Sequence, residues 1–332
     1  MPTFAPRWVH WTPVLVVGLL LALVPVLALA FDQPFLVRVF SRVIVFSVAA
    51  VSLNLLLGHA GLISVMHAAI LGLGGYVVAM LASHAGDEAI HPWLPVSGTY
   101  DLLVSAPLAV LACAAVSALL GAVALRTRGA YFIMITLAFN QMLYYLFVSL
   151  DRYGGDEGLQ VKAPLRVGPA ALDQPVVNYY LALAVLLLVM VLFARLVRSR
   201  FGVVIRAAAG NERRVHSVGI AAGRYQLAAL AIAGAVAGLA GVLLVTTQQF
   251  VSPADMAWTR SGELIVMVVL GGTSAIWGPV AGAALFLLLE LGLSGLSIHW
   301  QLGFGVLIIL MVVFLRSGLS GLVGKALGRR EK

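Results

Sequence analysis

The residues that could do chemistry in this chain are few, and most sit inside apolar runs. His59 and His67 are eight apart, a spacing that puts two imidazoles on similar faces of one helix. Such a pair could hold a metal or pass a proton, or each ring could simply pack. Glu263 and Glu290 are the acids nearest the interior of apolar segments, where an ionisable group costs roughly 2.5–3.5 kcal/mol at mid-bilayer. Asn54, Ser64, His67, Thr136, Asn140 and Gln141 are polar residues in apolar surroundings. They could line a path for a polar solute, or bond one helix to another. The sequence has no phosphate-binding GxxxxGK[ST] loop, no HExxH, no GxSxG and no Cys/His metal spacing. It therefore offers no ATPase site, no metal site and no enzyme site of its own, and no cofactor is expected on this chain. The single Cys113 lies in an apolar run and reads as a small apolar side chain.

The elements that must position these residues follow from composition. Of 332 residues, 62% are hydrophobic and 10% charged, against roughly 25% charged in a soluble domain. The mean hydropathy is +1.04. A soluble enzyme, a disordered chain and a secreted disulfide scaffold are excluded. The expected fold is all-α, a polytopic helical membrane protein with about eight to ten spans in a single transmembrane domain covering residues 1–332. A span needs about 20 apolar residues. Candidates are 12–30, 43–58, 62–82, 102–125, 129–150, 176–197, 225–246, 262–273, 277–295 and 301–316. The short runs at 43 and 262 read as tilted or re-entrant. The first run reads as an uncleaved span, and no short repeat is legible.

The net charge of +8 would suit nucleic acid, but its distribution points to the membrane instead. With ten spans, one side collects Arg7, Arg126, Arg128, Arg198, Arg200, Arg206, Arg213, Arg214, Arg224, Arg316, Lys325, Arg329, Arg330 and Lys332. The other holds Asp87, Glu88, Asp101, Asp151, Asp156, Glu157, Asp173 and Asp255. Both termini are thus expected in the cytoplasm. Arg38 and Arg42 run against this pattern and read as a short helix at headgroup level.

The basic connection at 198–224 is the most informative segment. Its Ala and Arg content favours a helix, and Val203, Val204, Ala207 and Ala208 recur at helical spacing. Gly219 closes it. Such a helix could rest on anionic lipid or dock on a partner. Ser199-Arg200-Phe201-Gly202, Arg206-Ala207, Asn211-Glu212 and Gly219-Ile220 resemble the coupling loop of ABC importer permeases, in the form found in branched-chain amino acid permeases. Further blocks resemble that family in order. They are Asn54 to Tyr76 with Gly58, Gly61, Ser64, His67, Gly72 and Gly74; Arg128 to Phe139; Gly154 to Leu159; and Gly271 to Ala283. Met66, Gly75, Tyr153 and Glu157 depart from the family pattern.

The resemblance implies a permease subunit working with a second permease chain, two ATPase subunits that bind ATP, and a periplasmic solute-binding protein in the inner membrane. Nucleic acid is not an expected partner. The implied solute is a branched-chain or other hydrophobic amino acid, with urea or a short amide as the alternative. An ion-coupled carrier working alone is a different class, disfavoured by the scarcity of deep charges. On this reading Val203, Val204, Arg206, Ala207, Asn211, Glu212 and Gly219 form the coupling loop. Asn54, Gly61, Ser64, His67, Gly74, Thr136 and Asn140 are candidates for the path, and Arg152, Asp156 and Glu157 for contact with the binding protein.

Overall fold

The computed structural model describes residues 12–86, 98–168, 170–273, 275–295, 299–314 and 318–321. Arg7, Asp87, Glu88, Arg316, Lys325, Arg329, Arg330 and Lys332 lie outside them. Among the described residues there are eleven α-helices: α1 (Thr12–Ala30), α2 (Pro34–Asn54), α3 (His67–Gly86), α4 (Leu102–Ala124), α5 (Ala130–Val148), α6 (Pro175–Arg198), α7 (Arg200–Ser217), α8 (Ala222–Gln248), α9 (Trp258–Gly271), α10 (Gly278–Ser294) and α11 (Trp300–Phe314). Six are long and apolar enough to cross a bilayer: α2 with the π-helical turn Leu55–Ala60 that extends it, α3, α4, α5, α6 and α8. α7 is the amphipathic exception. Exposed Leu111 and Leu119 on α4 and Leu302 and Ile309 on α11 would be a liability in water and are ordinary in lipid.

The core is built on α2 and α8. α2 packs against α1, α6, α8, α9 and α10, while α8 packs against α3, α4 and α7. Two interruptions shape this core. After Ala60 the chain leaves helix and turns back, and α3 starts level with Ser52 of α2, whose hydroxyl lies 2.6 Å from His67 Nε2. After Gln248 the chain forms a two-residue strand and a 3-10 turn, Pro253–Met256. It then starts α9 level with α3, where the Ala68 N–H donates to Ser261 Oγ at 3.0 Å. α3 runs away from α7. α9 runs toward it, so that Thr273 abuts Gly58 and Gly61 abuts Ala209 of α7. From the two breaks, after α2 and after α8, α3 and α9 thus run in opposite directions.

Several sequence expectations shift. The span expected at 43–58 begins at Pro34, so Arg38 and Arg42 lie in its first turns and not on a separate surface helix. The charge is tolerated there because Arg42 reaches Glu290 of α10 at 3.4 Å and lies over the Phe46 ring at 5.6 Å. The span expected from Leu62 begins only at His67. α9 starts at Trp258, and its 14 residues are too few to cross alone.

The Arg42–Glu290 pair gives a first prediction. Glu290 Oε2 is buried without a hydrogen-bond partner, and Oε1 lies 3.4 Å from the Arg42 guanidinium. Arg42→Leu alone is expected to cost about 1–3 kcal/mol. The double change Arg42→Leu with Glu290→Leu removes both charges and should restore most of that loss. Thermal unfolding of the purified variants in detergent checks it, and equal losses in single and double variants would refute it.

Candidate functional site

The break between α2 and α3 is where the polar residues gather. The helical ladder stops here: the Leu62 N–H still reaches the Leu56 carbonyl at 2.9 Å and the Met66 carbonyl accepts the Ile70 N–H at 3.3 Å, and in lipid the backbone groups between them must be satisfied by protein or by a water-filled cavity. Gly61 turns the chain in the left-handed region, at φ +67°, where a side chain would be strained. Thr136 Oγ1 accepts the N–H of Val65 at 3.2 Å. Asn140 does the most. Its Oδ1 accepts the Ala69 N–H at 3.2 Å and the Ser261 hydroxyl at 3.5 Å, and its Nδ2 donates to the Met256 carbonyl at 2.9 Å. One α5 side chain thus ties together the start of α3, the 3-10 turn and α9. Ser64 lies in the same break, buried, with an unpartnered hydroxyl.

Of the seven path candidates, the structure brings Gly61, Ser64, His67, Thr136 and Asn140 around this break. Asn54 and Gly74 lie apart from it. Asn54 is buried beside Gly58 at the end of α2, with its Oδ1 unpartnered. Gly74 sits two turns along α3, where a Cβ would lie 2.6 Å from the Cα of Gly238 on α8. Gln141 is half-buried at the neighbouring position of α5. His59 and His67 are not on one helix: His59 Nδ1 pairs with the Asn54 carbonyl at 3.2 Å and His67 with Ser52. Among the described residues no group of three His, Cys, Asp or Glu side chains is placed to hold a metal. Sequence reasoning missed Ser52 and Ser261, both fully buried. Their signal is faint, a small hydroxyl at the end of one apolar run and at the start of another.

α7 carries the second candidate surface. It is two helices in one, because Asn211 is extended (φ −160°, ψ 97°). The Asn211 Oδ1 accepts the Arg214 N–H at 3.0 Å and so caps the second piece. Glu212 follows and bonds Arg128, at the α4–α5 corner, at 3.1 Å. The apolar residues divide by face. Ile205, Ala208 and Val215 are buried, while Val203 and Ala207 face out with Arg206. Expecting Ala208 on one stripe with Val203 is thus corrected, since five residues along a helix of 3.6 per turn put the two on nearly opposite sides. Val203, Val204, Arg206, Ala207, Gly210, Asn211, Arg214, Val218 and Ile220, together with the buried Val215, enclose an open groove of about 580 Å³. Gly219 follows the second piece and its N–H donates to the His216 carbonyl at 2.9 Å.

At the opposite end, Arg152, Asp156 and Glu157 are exposed on the turn after α5. That turn is held by a strand pairing, Leu159–Gln160 with Phe250–Val251, so it is fixed to the same chain that leads into α9. Tyr153, a departure from the family pattern, contacts His84 Nε2 through its hydroxyl at 3.0 Å.

Among the described residues the chain is an all-α polytopic bundle, with helices that start part-way through it and one amphipathic helix on one face, the architecture of a protein embedded in a membrane. A sequence model of the family "Branched-chain amino acid transport system / permease component" matches residues 35–315, and the chain belongs to that family of ABC permeases. It is 27% identical over 330 residues to the high-affinity branched-chain amino acid transport system permease protein LivM of Escherichia coli (strain K12), covering 90% of this chain and 74% of that relative. It is 26% identical to LivM of Salmonella typhimurium, with the same coverage. No solved structure matches.

Proposed function

We propose that this chain is one permease subunit of an ATP-driven importer for branched-chain or other hydrophobic amino acids in the inner membrane. The observation that carries this reading is the groove on α7. It is apolar at its floor, rimmed by Arg206 and Arg214, and gathers five of the seven coupling-loop candidates. A helix or loop of a partner fits such a surface through its apolar face, with charges setting register. The partner is an ATPase subunit; two of them, a second permease chain and a periplasmic solute-binding protein complete the assembly. ATP is bound on the ATPase subunits. The 198–224 loop faces the cytoplasm, because its arginines obey the positive-inside rule, and both termini lie on that side. Arg152, Asp156 and Glu157 on the other face meet the binding protein. Closure of the ATPases moves α7, and Arg128–Glu212 passes that motion to the α4–α5 corner.

The test is purification from native membranes in mild detergent. The wild-type chain is expected to bring down an ATPase subunit, and Val203→Asp with Ala207→Asp to lose it while keeping the wild-type Tm. Both positions are exposed, so the pair spares the fold. Transport by the chain alone in liposomes, with no ATPase retained, would overturn the reading in favour of an ion-coupled carrier. Uptake of urea or acetamide in place of leucine would keep the class and change the solute.

A further inference from the structure

On the same side of the bundle as α7 lies a cavity of about 450 Å³, within the roughly 300–1,000 Å³ range of small-molecule sites. Three separate elements wall it: the break (Gly61, Leu62, Ile63), the α4–α5 corner (Leu125 to Ile133), and α7 (Ala208, Ala209, Glu212). Gln226 of α8 closes the fourth side. Most of the wall is aliphatic or aromatic. The charged groups are Arg128 and Glu212, which face each other across the mouth at 3.1 Å.

We propose that this cavity binds a free, uncomplexed amino acid with a branched apolar side chain, as its zwitterion. The choice of solute rests on the importer reading. The chemistry comes from the charges. Seventy per cent of the Arg128 side-chain surface and 22% of that of Glu212 are exposed, so the guanidinium can swing into solvent and the pair can open for a ligand that replaces both halves. An α-carboxylate takes the guanidinium, an α-ammonium takes the Glu212 carboxylate, and the side chain enters among Leu62, Phe132 and Ile133. A monocarboxylate would leave Glu212 unpaired, an amine would leave Arg128 unpaired, and urea answers neither charge. Glu212 opens the second piece of α7, directly after its cap. Occupancy therefore replaces the direct bond between that piece and the α4–α5 corner with a longer one through the ligand, and the amino acid pool on this face acts back on the coupling helix.

The test is calorimetric binding to the full-length chain in nanodiscs, with leucine, 4-methylpentanoate (no ammonium) and 3-methylbutylamine (no carboxylate). Leucine is expected to bind, and each analogue at least about tenfold more weakly, the factor expected when one charge-assisted hydrogen bond worth about 1.5–3 kcal/mol is lost. Arg128→Ala and Glu212→Ala should each weaken leucine by a similar factor at unchanged Tm. Equal affinity for all three ligands, no leucine binding, or leucine binding indifferent to both substitutions would overturn the proposal. An ATPase that copurifies from membranes while leucine fails to bind removes the cavity site alone. Leucine binding as described with no copurifying ATPase removes the importer reading alone.

Discussion

Asn140→Leu is expected to lower the stability of the purified protein by about 3–6 kcal/mol, and its Tm by roughly 10 °C. The magnitude depends on what Asn140 holds. An interhelical hydrogen bond between side chains in lipid averages only about 0.6 kcal/mol, because the separated helices find other partners. Asn140 instead satisfies backbone groups at two interruptions, the Ala69 N–H and the Met256 carbonyl, as well as the Ser261 hydroxyl. The residue is fully buried, so these groups have no water to turn to, and each orphan costs about 1–3 kcal/mol. Leucine matches the size of asparagine without supplying a donor or an acceptor. Asn140→Asp separates the contributions: it keeps the acceptor for Ala69, loses the donor to Met256 and adds a buried charge. Both variants should melt lower, and Thr136→Val, which removes the partner of a single N–H, should melt lower by about a third as much. An Asn140→Leu protein that melts with wild type would show that the two breaks are satisfied in some other way.

The second large effect is expected at Gly74. A single added methyl at this position points into the backbone of Gly238, and backbone cannot swing aside as a side chain can. The same two helices are tight one turn on, where a Cβ on Gly241 would lie 2.8 Å from the Gly75 nitrogen. Gly74→Ala is expected to cost about 3 kcal/mol, and Gly74→Val to leave no monodisperse protein in size-exclusion chromatography. Gly210→Ala provides the control, since no atom lies within 4 Å of a Cβ there and its melting should be unchanged. A stable Gly74→Val protein would mean that α3 and α8 can part without loss.

Much of this architecture is readable from the chain alone, and the rest fails for identifiable reasons. The spans at α1, α4, α5 and α6 are legible to within a few residues because each is an uninterrupted apolar run closed by Gly, Pro, Asp or Arg. The start of α3 is not, because Leu62 and Ile63 are as apolar as the helix that follows and nothing local marks the break. The start of α2 is hidden by Arg38 and Arg42. The carboxylate that makes Arg42 acceptable is 248 residues away. At the candidate site the residue types were visible and their partners were not: Asn140 and Met256 are 116 residues apart. Asn211 is instructive in another way. It reads as a docking residue by resemblance, yet its side chain is occupied in capping, and the run Asn211-Glu212-Arg213-Arg214 already has the form of a helix start.

The concentration of charge around α7 has a consequence for how the molecule enters its membrane. Six arginines lie from Arg198 to Arg224, in the stretch that contains α7. By the positive-inside rule, the same short stretch that offers a surface to a partner is expected to bias how the protein inserts. Val203→Asp with Ala207→Asp leaves every arginine of the stretch in place, and acids count for little in that rule, so the pair probes docking without disturbing insertion, whereas neutralising the arginines would confuse the two.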